Sequence, residues 1–91
     1  MTARLLRIAG RVQGVGYREW LMLEAHRHGL DGWVRNRGDG TVEALLSGEG
    51  DALQAVLSAC RLGPPLARVE SIDEQFTDPP EAPGFHRRPS L

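Results

Sequence analysis

Two hydrophobic rhythms alternate along this chain, a period of two in short stretches and a period near 3.6 in two longer ones. Arg4 to Ala9 puts Leu6 and Ile8 on one side of an extended segment and Leu5 on the other, which predicts a strand. From Tyr17 to His28, the residues Tyr17, Trp20, Leu21, Ala25 and His28 recur at helical spacing, and Gly29 stops the helix. Gly32 to Arg37 is a second strand built around Trp33 and Val34. The turn Gly38-Asp39-Gly40 carries an Asp-Gly step that favours a tight hairpin. The return strand, Thr41 to Ser47, alternates Val42, Ala44 and Leu46 inward. Gly48-Glu49-Gly50-Asp51 breaks that strand and caps a second helix over Ala52 to Cys60, with Leu53, Val56, Leu57 and Cys60 on one stripe. Gly63-Pro64-Pro65 ends it. Ala67 to Phe76 is a fourth strand whose apolar phase slips between Val69 and Ile72, as an inserted bulge residue would cause. Three prolines between Thr77 and Gly84 make a loop, and Phe85 to Arg88 forms a short fifth strand at the edge, followed by a loose end at Pro89-Ser90-Leu91.

The order strand, helix, strand, strand, helix, strand is that of a ferredoxin-like α+β sandwich, with two helices on one face of an antiparallel sheet. No internal repeat or break in composition divides the chain, so residues 1–91 are expected to form a single domain. Glu43, Glu70, Asp73 and Glu74 alternate out from the strands and are expected on a solvated sheet face.

Candidate chemistry gathers in Gly10-Arg11-Val12-Gln13-Gly14-Val15-Gly16-Tyr17-Arg18, between the first strand and the first helix. Three glycines there let the backbone approach a ligand and turn its N–H groups inward. The helix start adds unpaired N–H groups and a positive dipole end, which suit an anion. Arg18 supplies a planar five-donor fork that matches phosphate or carboxylate. A cation in the first helical turn opposes the helix dipole, and a bound anion would offset that cost. A tight turn with no ligand also needs glycine, and the pattern alone leaves that use open. The glycine spacing is not that of a dinucleotide fingerprint, and all 11 basic residues are Arg, which excludes a Walker lysine and a lysine Schiff base.

Asn36, the only asparagine, ends the second strand. Its amide could close a local turn or hold a water through donor and acceptor at once, and spacing does not separate the two. His26, His28 and His86 match no zinc spacing. Cys60 stands alone, so no internal disulfide forms, and its place on the helix stripe predicts a small buried hydrophobe. No paired-carboxylate or Ser-His-Asp pattern stands out. A net charge of −1 gives no field to attract nucleic acid or an anionic membrane, and the aromatics do not form a base-stacking signature. Met1 to Arg4 lacks a signal-peptide apolar region and no run approaches a bilayer span, so a cytoplasmic location is expected.

The glycine-loop segment closely resembles the signature of the acylphosphatase family. So does a second block, Gly32-Trp33-Val34-Arg35-Asn36-Arg37 followed by Asp39-Gly40-Thr41-Val42-Glu43, in the family's order and spacing. The resemblance covers nearly the whole chain and agrees with the ferredoxin-like reading. It implies hydrolysis of acyl phosphates, in which a carboxylate or carbamate is esterified to phosphate, without metal or organic cofactor. Carried over by position, the catalytic arginine is Arg18 and the catalytic asparagine is Asn36. The phosphate-binding loop is Gln13, Gly14, Val15, Gly16 and Tyr17, acting through backbone N–H groups together with Arg18.

Such a site suits direct, in-line attack of water on phosphorus, with Asn36 orienting the water and a substrate phosphate oxygen taking its proton. The partner is then a small acyl phosphate, inorganic phosphate is product and competitive inhibitor, and a monomer is expected. One departure stands out at the C-terminus, where Arg87 occupies a place that is usually apolar in the family's last strand. The competing reading is a non-catalytic anion-binding module of the same fold.

Overall fold

The computed structural model describes residues 2–91. The chain runs β1 (Thr2–Arg11), α1 (Tyr17–Arg27), β2 (Asp31–Asn36), β3 (Val42–Gly48), α2 (Gly50–Cys60), β4 (Arg68–Thr77) and β5 (Phe85–Arg87). The strands form one sheet in the order β4-β1-β3-β2-β5. Elements fall where the periodicity put them, to within one or two residues.

In-register partners share a face of the sheet, so the rows can be read across it. Leu6, Ala44 and Val34 form one row, and Ile8, Val42 and Asn36 the next. These rows carry the core. Leu6, Ile8, Val34, Val42, Ala44 and Leu46 pack against Leu21 and Ala25 of α1 and Leu53, Val56 and Leu57 of α2, placing both helices on one face. Ile8, Leu21, Val34, Val42, Leu46 and Val56 are at most 1 % exposed. Each such side chain contributes about 1.5–3 kcal/mol relative to leaving it in water. Among the described residues no helix is long and apolar enough to cross a membrane.

The expected phase slip in β4 is a bulge. Ala9 pairs Ser71 but Gly10 pairs Val69, which leaves Glu70 as the extra residue. The bulge also accounts for Gly10. Its φ is +124°, and a Cβ there would collide with the Arg68 carbonyl oxygen. Gly10 therefore serves strand pairing, and only Gly14 and Gly16 of the glycine segment belong to the loop itself.

Two sheet expectations are corrected. The sheet is not wholly antiparallel, because β5 runs parallel to β2, with Gly32 opposite Phe85 and Val34 opposite Arg87. The direction follows from connectivity. Thr77, the end of β4, and Asp31, the start of β2, both lie in the row of Ala3 and Ser47. A strand that enters from that end of the sheet must run with β2. The second correction concerns Glu43, which is not solvated but only 6 % exposed. It lies on the face away from the helices, where Arg35 Nε donates to its Oε1 at 2.7 Å and Arg37 Nη1 at 3.4 Å. β3 is the central strand, so even its outward side chains are roofed by those of its neighbours. Glu70, Asp73 and Glu74 are exposed as expected.

Candidate active site

The loop 12–16 joins β1 to α1 and is anchored at both ends. Val12 is buried in the core. The Gln13 side chain reaches across to the β2–β3 turn, where its Nε2 donates to the Arg37 carbonyl at 2.8 Å and the Thr41 carbonyl at 2.9 Å. Val15 packs half-buried against the core cluster. Gly16 is the residue before α1, with φ +83° and ψ +18°, and no side chain caps the helix. This left-handed conformation is open to glycine at no steric cost. Among the described residues, the N–H groups of residues 13–16 make no well-formed bond to a backbone carbonyl. The first-turn N–H groups of α1 add to these, and the helix dipole points its positive end the same way.

Tyr17 opens α1 and is 1 % exposed. Its hydroxyl donates to the Cys60 carbonyl at 2.6 Å, which fastens the start of α1 to the end of α2. Trp20 lies edge-on to its ring, 5.3 Å between centroids. Burial pushes the Tyr17 hydroxyl far above the ordinary phenol range. The Cys60 thiol, fully buried as expected, is pushed up to about 12, chiefly by desolvation. Both groups are structural at neutral pH. Tyr17→Phe is expected to cost about 1–3 kcal/mol, because it leaves a buried carbonyl without its donor. A urea titration should show a lower midpoint at unchanged slope, and an unchanged midpoint would refute the fastening role.

Beside this loop lies a cavity of about 140 Å³. Gly14, Gly16, Arg18 and Asn36 line it, with Val12 and Tyr17 beneath and Glu19 and Arg87 at its sides. Arg18 and Asn36, 18 positions apart in the sequence, thus face one space, because the row Ile8–Val42–Asn36 brings the end of β2 onto the helix face near the end of β1. Burial, and after it the neighbouring Arg87 cation, pull the Arg18 guanidinium below its ordinary range, while Glu19 opposes the shift. Arg18 stays charged at neutral pH, since guanidinium does not deprotonate in proteins. Asn36 Oδ1 is buried with no hydrogen-bond partner among the described residues. The Asn36 carbonyl accepts from the Leu91 N–H at 3.0 Å, so the C-terminal tail is docked beside β2 and is not the loose end its composition suggested.

The remaining candidates lie apart. Gln13 works through its side chain as a tie between loop and turn and does not line the cavity. The histidines are engaged with backbone carbonyls: His26 Nε2 with Phe85, His28 Nδ1 with Glu24 and His86 Nε2 with Pro83, at 3.0–3.1 Å. Glu19 and Arg87 were not among the site residues read from the sequence. A signal for Arg87 existed, since alternation from the buried Phe85 places residue 87 on the helix face.

Fold and pocket together define a ferredoxin-like α+β protein whose strand-to-helix loop, Arg18 and Asn36 line one cavity. A family model described as acylphosphatase matches residues 5–87, and the chain belongs to the acylphosphatase family. It is 54 % identical over 88 residues to an acylphosphatase of Acidiphilium cryptum, covering 97 % of each chain. It is 53 % identical over 91 residues to one of Rhodospirillum rubrum, covering 100 % of each. The crystal structure of acylphosphatase from Bacillus subtilis superposes with a TM-score of 0.91 at 37 % identity, over 97 % of this chain and 99 % of that one. A structure of full-length HypF in the phosphate- and nucleotide-bound form matches 98 % of this chain with 12 % of its own, at a TM-score of 0.90 and 27 % identity. Membership carries the activity expected from the sequence, hydrolysis of acyl phosphates.

Proposed function

We propose that the chain works as a one-domain, monomeric, cytoplasmic enzyme that hydrolyses acyl phosphates by direct attack of water on phosphorus. The single observation that carries the mechanism is the buried, unpartnered Asn36 Oδ1 in the same cavity as Arg18 and the glycine loop. A buried acceptor without a donor costs free energy, and a water held there supplies the donor. The loop N–H groups and the Arg18 fork bind the phosphoryl oxygens and meet the charge that develops on them. Asn36 then aims the water along the line of the bond that breaks.

The balance of the step is simple. A water oxygen–phosphorus bond forms, the phosphorus–acyl oxygen bond breaks, and its electron pair leaves on the carboxylate. Carboxylates have pKa values near 4, so the leaving group needs no acid. The water's proton passes to a phosphoryl oxygen of the substrate itself. Among the described residues no nucleophile with an activating base lines the cavity, which supports a path without a covalent intermediate.

Phosphate release from benzoyl phosphate, measured with a strong chelator present, tests this reading. Rapid release, with inorganic phosphate a competitive inhibitor, is the expected outcome, because Arg18 and the amides supply the positive charge the reaction needs. Activity lost to the chelator and restored by zinc or magnesium would overturn the metal-free mechanism. No hydrolysis by folded protein would favour the anion-binding module instead.

A further inference from the structure

The cavity holds one more cation than phosphate binding by Arg18 requires. Arg87 stands on β5 opposite Val34, on the row Leu6–Ala44–Val34, and so on the helix face of the sheet. It lines the same cavity as Gly14, Gly16, Arg18 and Asn36. Its Nη1 lies 3.5 Å from Glu19 Oε1, a pair whose side chains are 42 % and 76 % exposed. Such an exposed pair is weak and readily exchanged for another anion.

The phosphoryl oxygens are provided for by loop N–H groups and by Arg18, all contributed by the β1–α1 segment. Arg87 arrives from the far edge of the sheet, beyond Asn36. Val12 and Tyr17 in the cavity lining are buried, whereas the side chains of Arg87 and Glu19 are exposed to solvent. An acyl part that extends from the cavity toward solvent therefore passes these two.

Resting on the activity proposed above, we infer that Arg87 is a specificity-determining residue, selecting acyl phosphates whose acyl group carries a second anionic group, such as a carboxylate. On binding, that carboxylate takes the place of Glu19 on Arg87 in a charge-assisted, two-pronged contact. Glu19 is the competitor that keeps Arg87 extended over the rim and repels substrates too short to displace it.

The test compares ligands of equal length. Calorimetric titration with 5-phosphonopentanoate, which spaces its carboxylate from phosphorus as succinyl phosphate does, and with pentylphosphonate, at low ionic strength, reads the contribution of the carboxylate without turnover. The ratio of kcat/KM for succinyl phosphate and butyryl phosphate reads it in catalysis. Wild type is expected to favour the carboxylate-bearing member of each pair by roughly tenfold, the scale of one hydrogen bond between charged groups. Arg87→Val, which suits a strand, should bring the ratio to about one. Arg87→Glu should invert it, and Glu19→Gln should raise it. A wild-type ratio near one, or a ratio that survives Arg87→Val, overturns the inference. The phosphonate titration decides it even if neither acyl phosphate is hydrolysed, an outcome that would count against the activity and not against the role of Arg87.

Discussion

Arg18→Ala is expected to lower kcat/KM by about 10³–10⁵, the range reported for a single arginine that meets charge on a transferring phosphoryl group. The same variant should be no less stable than wild type without ligand. In the free protein Arg18 sits in unfavourable company. It is a cation in the first turn of α1, where the helix dipole opposes it. It is partly withdrawn from water and faces a second cation, Arg87. Each of these costs becomes a gain once a phosphate dianion enters the cavity. Thermal melts with and without inorganic phosphate separate the two effects. Wild type should gain stability with phosphate concentration in proportion to its affinity. Arg18→Ala should start at or above the wild-type melting temperature and gain almost nothing. Arg18→Lys should recover part of the binding, as a point charge without the planar fork. A variant lacking the arginine yet protected by phosphate like wild type would rule out Arg18 as the anion ligand.

The same tension between stability and function explains what could be read from the sequence. Arg18 was legible because it breaks a local rule, a basic residue at a helix start. The glycine segment was legible as a loop, but not in its parts. Gly10 answers to the Arg68 carbonyl across the β4 bulge, while Gly14 and Gly16 shape the loop. The bulge itself showed as a phase slip between Val69 and Ile72. Glu43 defeated the period-two reading because alternation tells only which face a residue takes, and the outer face of a central strand is covered by its neighbours. Here Arg35 and Arg37 cover it and neutralise it. The direction of β5 was out of reach for a different reason. Three residues carry no directional signal, and what orients them is where β4 ends. Alternation from Phe85 put Arg87 on the helix face, but only the parallel register sets it, 68 positions from Glu19, beside the same cavity.

Asn36→Ala should separate binding from chemistry. The phosphate affinity of the variant is expected to stay near the wild-type value, because the amides of the loop and Arg18 remain. Turnover should fall by roughly 10²–10³, the effect of losing one positioned polar group in an acyl- or phosphoryl-transfer site. The backbone at Asn36 is held independently of its side chain. Its carbonyl takes the Leu91 N–H at 3.0 Å, and the next carbonyl, of Arg37, takes the Gln13 amide at 2.8 Å. Truncation at Cβ should therefore not disturb the strand end. It should also relieve the protein of a buried acceptor that has no protein donor, so the ligand-free stability is expected to be unchanged or slightly higher. Three measurements on one variant then bear on one role: phosphate affinity, kcat and unfolding free energy. A loss of affinity with kcat intact would make Asn36 a phosphate ligand. A loss of stability with kcat intact would make its amide a structural cap on the β2–β3 turn. Only a fall in kcat alone fits an amide whose partner is the attacking water.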